Sequence, residues 1–216
     1  MGRLVDLSHA IEHGMVTYKG LPGPHICDFW TREQSAEFYD DGSTFQIGRI
    51  DMVANTGTYL DAPFHRFEDG DDLAALALER VAILPGIKVT CAELAVGPQV
   101  FAELDVSGRA VLVETGWSRH WGSEAYYSDH PFLAAASAEL LVARGAALVG
   151  IDSHNIDDTR GKSRPVHTAL LGAGILVCEH MANLAALPPS GFTFHAVPPK
   201  VVGMGTFPVR AFAEVN

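Results

Sequence analysis

The sequence has little of what announces most enzyme classes. Its three cysteines, Cys27, Cys91 and Cys178, lack C-x-x-C spacing, so neither a disulfide framework nor a cysteine-rich zinc knuckle is encoded, and free thiols are expected. No G-x-S-x-G elbow occurs: the stretch from Gly116 reads GWSRH, which argues against that kind of serine hydrolase. Gly161, Lys162 and Ser163 imitate the end of a P-loop, but Ile156 stands where its first glycine belongs. There is no G-x-G-x-x-G dinucleotide fingerprint either. Positive charge is scarce, with 15 Lys and Arg against 26 Asp and Glu and a net charge of -11. With no basic patch to offset it, nucleic acid and anionic membranes are unfavourable partners. No apolar run reaches the roughly 18 residues of a spanning helix, and the opening MGRLVDLSHAIEHGM has no apolar h-region, so a cytoplasmic protein is expected.

What is present fits one well-filled α/β domain over residues 1–216. The chain is 48% hydrophobic and 19% charged, with 21 glycines and 12 prolines to punctuate it. Apolar runs rich in β-branched residues read as strands at Gly48–Ala54, Val81–Val89, Ala110–Glu114, Ala147–Asp152, Gly174–Glu179 and Phe192–Val197, with a last alternating run at Lys200–Glu214. The clearest helix is Phe132–Gly145, with Arg144 in its last turn and Gly145 as a stop; a shorter one is expected at Val166–Leu171. The strand at Ala110, the helix and the strand at Ala147 form a βαβ unit. A mixed sheet with hairpins and few helices is the expected class.

Chemistry, with those nucleophile motifs set aside, falls to oxygen and nitrogen ligands on turns. In NTGTYLDAPFH, Asn55 to His65, an aspartate and a histidine lie four apart around Pro63, where short rigid backbone can aim both into one cavity. Much later, RPVHTALLGAGILVCEH offers His167 at the start of a helical turn and Glu179 at the end of an apolar run. A glutamate there carries a burial cost unless it is paired or coordinated. Taken singly, each has a plainer reading as a turn aspartate, a surface histidine or a strand-end glutamate. Arg49 and Arg66 are possible carboxylate clamps, and Tyr18, Phe29, Trp30, Phe64 and Trp117 possible walls of an arene-sized pocket.

NTGTYLDAPFH resembles the H-x-G-T-H-x-D-x-P-x-H signature of the cyclase superfamily, which includes bacterial metal-dependent kynurenine formamidase and isatin hydrolase. LSHAIEHGMVTYKG, VLVETGWS, LVGIDSHNID, HTALLGAGILVCE and KVVGMGTFPVRAFA resemble the family's opening, central strands, later ligand segment and closing hairpin. The resemblance implies a swivelling β/β/α domain, a homo-oligomer (dimer or tetramer), and a hydrolase of a small amide or lactone, arylformamidase-like, as in tryptophan catabolism. It also implies two divalent ions on two further histidines, the aspartate, a later histidine and a glutamate. The last signature histidine is the acid/base, and Tyr18 faces the substrate. Asp61, His65, His167 and Glu179 match; Asn55 and Tyr59 replace the two remaining histidines. Amide and phenol are poor ligands. Three outcomes follow. One zinc or manganese stays on Asp61, His167 and Glu179; or the site is rebuilt, with His154 first and His13 and His25 next as replacements. The third is a metal-free binder, lyase or isomerase that uses Tyr59 and His65 as an acid/base pair.

Overall fold

The computed structural model describes residues 2–215. The chain opens with β1 (Arg3–Asp6) and an antiparallel ribbon, β2 (His25–Trp30) and β3 (Ile47–Asp51), with a single helical turn, α1 (Arg32–Ser35), between its strands. Next come β4 (Tyr59–Asp61), β5 (Leu84–Thr90), the two-residue β6 (Ala95–Val96), β7 (Ala110–Glu114), the equally short β8 (Phe132–Leu133), α2 (Ala135–Ala143) and β9 (Leu148–Ile151). The last third carries α3 (Pro165–Gly172), β10 (Leu176–Glu179), β11 (Ser190–His195), β12 (Thr206–Pro208) and β13 (Phe212–Val215).

Nine strands form one sheet in the order β1-β13-β11-β5-β7-β9-β10-β4-β12. The middle four, β5, β7, β9 and β10, are parallel, and the flanking strands pair antiparallel. Only residues 209–211 separate β12 from β13, yet these strands lie seven places apart in the sheet. A link that short spans about 14 Å at most, so the sheet curls until its two ends nearly meet. The crossing is fastened by Val209 N donating to Thr58 O (2.9 Å) and Leu7 N to Ala211 O (2.9 Å).

Alternation within the parallel strands sorts two cores. Leu112, Leu148, Leu176 and Cys178 fill the inside of the curl with Leu60, Phe192 and Phe194. Val111, Val113, Val149, Ile151 and Val177 face the other way, under Leu141 of α2 and Val166, Leu170 and Leu171 of α3. Burial on both faces is what continuous apolar runs in parallel strands require.

The expected βαβ unit is β7-α2-β9, with β7 and β9 adjacent and parallel. Three expectations are corrected. The helix starts at Ala135, because the N–H groups of Phe132, Leu133 and Ala134 donate to Leu94, Ile156 and Val96 carbonyls outside the helix. The strand expected at Gly48–Ala54 is β3 of the separate ribbon, ending at Asp51. The closing run makes no hairpin: β12 pairs with β4, while β13 pairs with β1 and β11.

Candidate metal centre

Strand register builds the centre on the helix-covered face of the sheet. In β4, Tyr59 and Asp61 are two apart and share a face. β10 places Glu179 opposite Tyr59, and β12 places Thr206 opposite Asp61. His167 comes from the first turn of α3, which packs on that face, and His65 ends a 3₁₀ turn, Pro63–His65, that follows β4. That turn is pressed against β12: a Cβ on Gly205 would stand 2.2 Å from His65 N and 2.5 Å from His65 Cα, so only glycine fits.

Asp61 is fully buried, and its Oδ2 has no hydrogen-bond partner among the described residues. His167 Nε2 lies 3.6 Å from that oxygen, and His65 Nδ1 lies 3.6 Å from Oδ1. Asp61, His65 and His167 present donor atoms all within 4.8 Å of one another. Glu179 joins through His167, its Oε1 being 3.6 Å from Nε2. A buried carboxylate oxygen without a donor is costly, whereas carboxylate and imidazole at this spacing suit a divalent cation.

The surroundings fix each group. His167 Nδ1 donates to Asp157 Oδ2 at 2.6 Å, so in the neutral ring Nε2 is the lone-pair nitrogen, aimed at Asp61, the carboxylate-histidine arrangement that orients metal ligands. Asp157 also accepts the Val166 and His167 backbone N–H groups (2.8 and 3.0 Å), capping α3 from outside the helix. Burial pushes the Asp157 pKa up, but its hydrogen bonds from His167 and Val166 bring it below the ordinary value. Burial lowers the His167 pKa, yet Glu179, Asp157 and Asp61 together raise it to about 10. Without a metal, the cluster therefore holds a proton in place of the cation that its carboxylates attract. Glu179 is raised to about 7 by burial and by Asp61, against the opposing pull of His167 and of hydrogen bonds from Tyr59 and Ile156.

On the acid/base side, the Thr206 hydroxyl donates to Asp61 Oδ1 and lies 2.8 Å from His65 Nδ1. A hydroxyl has one proton to give, so Nδ1–H is the donor to Thr206, and His65 Nε2 is left as a base.

The side where the resemblance implies two further histidines is built differently. Tyr59 O–H donates to Glu179 Oε2 at 2.7 Å, and His180 Nε2 is 3.2 Å from the same phenol oxygen. Tyr126 O–H supplies His180 Nδ1 at 2.9 Å. Donation therefore runs one way, from Tyr126 through His180 and Tyr59 to the carboxylate. Burial, reinforced by Glu179, raises the Tyr59 pKa well above the ordinary phenol value, so it remains a donor. His180 turns its ring into this chain from a left-handed backbone, φ 53°, directly after β10.

A cavity of about 290 Å³ opens over these groups, bounded by Tyr18, Leu21, Asn55, Tyr59, Asn155 and Arg164 in addition to His65, Arg66, His167 and Glu179. Tyr18 is there as expected, its hydroxyl accepting from Asn155 Nδ2 at 2.6 Å. Of the other aromatics suggested by the sequence, none lines the cavity: Phe29 and Trp30 belong to the ribbon, Phe64 sits in the 3₁₀ turn, and Trp117 donates to Tyr126 O. Arg49 is exposed on β3, away from the cavity. His154 is buried behind Tyr18, ring centroids 4.3 Å apart, with Nδ1 unpartnered among the described residues, and stands outside the cluster of three donors. His13 and His25 pack edge to face near the ribbon, His13 Nδ1 accepting from Ile26 N. Sequence reasoning missed Asp157, Thr206, His180, Tyr126 and Arg164. Of these, His180 carried a local signal, its place beside Glu179.

The family model described as Putative cyclase matches residues 5–158, which include Asn55, Tyr59, Asp61, His65 and Asp157. The chain belongs to that family. It is similar over almost its whole length to kynurenine formamidase of Salinibacter ruber, at 28% identity over 96% of this chain and 95% of that protein. The kynurenine formamidase of Erythrobacter litoralis is 29% identical, over 93% and 88%. Among solved structures, isatin hydrolase A from Labrenzia aggregata superposes with TM-score 0.84 at 22% identity, covering 99% of this chain and 93% of that one, a likeness of fold. A potential metal-dependent hydrolase with cyclase activity superposes with TM-score 0.80 at 26% identity, covering 99% and 98%. The mixed α/β architecture with a curled sheet and few helices is thus the family's fold, and the chain resembles arylformamidases within it.

Proposed function

We propose that this protein is a metal-dependent hydrolase of a small amide or lactone, resembling arylformamidase, with a single divalent ion, zinc or manganese, held by Asp61, His167 and Glu179. The observation that carries the reading is the unpartnered buried Oδ2 of Asp61 facing the Nε2 that Asp157 orients on His167. A divalent ion there supplies electrophilic polarisation of a carbonyl and an acidified water. His65, with Nδ1 committed to Thr206, takes the proton of the attacking water at Nε2 and returns it to the departing nitrogen or oxygen. Glu179 Oε2 accepts from Tyr59 and Oε1 from Ile156 N–H (2.6 Å); Oε1 also faces His167 Nε2, and its second lone pair is the one that points to the ion, with the Tyr59 side closed. Tyr18 and Leu21 supply an apolar wall for the substrate.

The same commitment of Tyr59 weighs against a metal-free acid/base pair with His65, because its proton is already given to a buried carboxylate. The homo-oligomer also belongs to this proposal, supported by the apolar side chains that the ribbon region exposes, among them Phe29, Phe38, Tyr39, Ile47 and Ile50. No helix among the described residues is long and apolar enough to cross a membrane.

Metal analysis of the purified protein and of Asp61→Ala tests the reading. The expected result is about one zinc or manganese per chain, lost in the variant together with hydrolysis of formanilides and lactams. A wild-type protein that takes up no metal on reconstitution would overturn it.

A further inference from the structure

Two cations border the cavity, Arg66 and Arg164, and neither forms an ion pair among the described residues. Neutral oxygens hold both. Arg66 Nε donates to Thr168 Oγ1 at 3.2 Å, and Arg164 Nη1 donates to the carbonyls of Asp158, Gly161 and Ser163 at 3.3, 2.9 and 2.7 Å. Thr168 ties the two together, its hydroxyl donating to Arg164 O at 2.8 Å. Carbonyl and hydroxyl acceptors fix a guanidinium in place without cancelling its charge. Both Nη nitrogens of Arg66, and Nε and Nη2 of Arg164, make no hydrogen bond within the described residues, and a planar fork of such donors matches a carboxylate.

Charge balance points the same way. Glu179 lies on the buried floor of the cavity, and Asp61 is buried next to it, 3.6 Å from the lining residues His65 and His167. A divalent cation there offsets both, and the two guanidiniums are left as uncompensated charge at the mouth of a chain whose net charge is -11. Arg66 directly follows His65 and Arg164 lies three residues before His167, so the chain itself couples these side chains to the reacting centre.

We propose that Arg66 and Arg164 form a carboxylate clamp, and that the preferred substrates are small aryl amides bearing a carboxylate. This rests on the amide-hydrolase reading above. Tyr18 and Leu21 flank the aryl group, and the volume of about 290 Å³ suits a single substituted ring.

The test compares matched formanilides with and without a ring carboxylate on the protein purified with its metal, alongside calorimetric titration with phenylacetate and phenylacetamide, which are not formanilide substrates. The expected kcat/KM ratio favours the carboxylated partner by about tenfold or more, chiefly through KM, and shrinks as salt rises. It collapses toward unity in Arg66→Met and Arg164→Gln and is partly kept in Arg66→Lys; phenylacetate binding weakens in parallel. Phenylacetate binding that Arg66→Met abolishes, with no amide hydrolysed by any form, sinks the hydrolase reading and leaves the clamp standing. Equal rates on both partners, a ratio unmoved in both variants, or no binding of phenylacetate overturns the clamp and leaves the hydrolase reading intact.

Discussion

On one side of Glu179, Oε1 faces His167, which Asp157 orients, with the bare oxygen of Asp61 beyond it. On the other side, Oε2 meets a phenol, an imidazole and a second phenol that hydrogen-bond in series. Each Glu179 oxygen has one donor, Ile156 N–H on Oε1 and Tyr59 O–H on Oε2, yet the two halves around them differ, because Asp61 Oδ2 on the first side has none. The first leaves acceptors facing each other, a cost that only a cation or a proton relieves; the second hands the oxygen a ready donor. At the position where the resemblance implies a histidine ligand, Tyr59 thus makes a hydrogen-bonded wall.

The sharpest way to break the contrast is to rebuild the wall as a ligand side. In Asn55→His combined with Tyr59→His, metal per chain is expected to rise from about one to about two, read by mass spectrometry on chelator-free protein. A count that stays at one would mean that something other than these two side chains closes that half. Asp157→Ala attacks the opposite half. Metal affinity is expected to fall about 10- to 100-fold by competition titration, with about 1 kcal/mol of helix-cap stabilisation lost as well. Asp157→Asn, which keeps one acceptor for α3, is expected to lose less stability.

A smaller effect separates wall from ligand. Tyr59→Phe leaves Glu179 Oε2 and His180 Nε2 without partners, and denaturant melts are expected to show a loss of about 1–3 kcal/mol. An unchanged midpoint would mean that water replaces the phenol at no cost. The mildest is the acid response of histidines buried near the wall. Burial lowers His154 to about 3 and His9 to about 4 from the ordinary 6.5. The unfolded chain therefore takes up these protons first as pH falls, so the contribution of these two histidines is full above about 6.5 and declines from there through about 4 for His9 and about 3 for His154. His154→Gln is expected to flatten that decline in a series of melts across pH; an identical slope would remove His154 from the account.

Legibility in the sequence followed the range of the interaction. The parallel strands from β7 to β10 showed as β-branched runs because both of their faces are buried, and α3 showed through its apolar spacing. β4 did not: three residues flanked by threonine, glycine and proline carry no period, and their strand character comes from β10 and β12 on either side. Asp61, His65, His167 and Glu179, which the structure brings into one cluster, stood out because each is an ionisable side chain at the end of an apolar or turn segment. Thr206 meets His65 across a separation of 141 residues, and Asp157 caps a helix that begins eight residues later, so no local pattern marks either. The wall was legible only as two missing histidines; the left-handed turn that swings His180 behind Tyr59 is a consequence of tertiary packing.

Gly205 bears on how this gene can vary. Every missense change at that codon adds at least a Cβ, and the Cβ meets the main chain of His65, not a side chain able to swing aside. Synonymous changes are then the only silent ones. In a mutational library scored on activity, position 205 will sort with the acid/base histidine, although it contributes no functional group, and a parallel measurement of folded protein will tell the two apart.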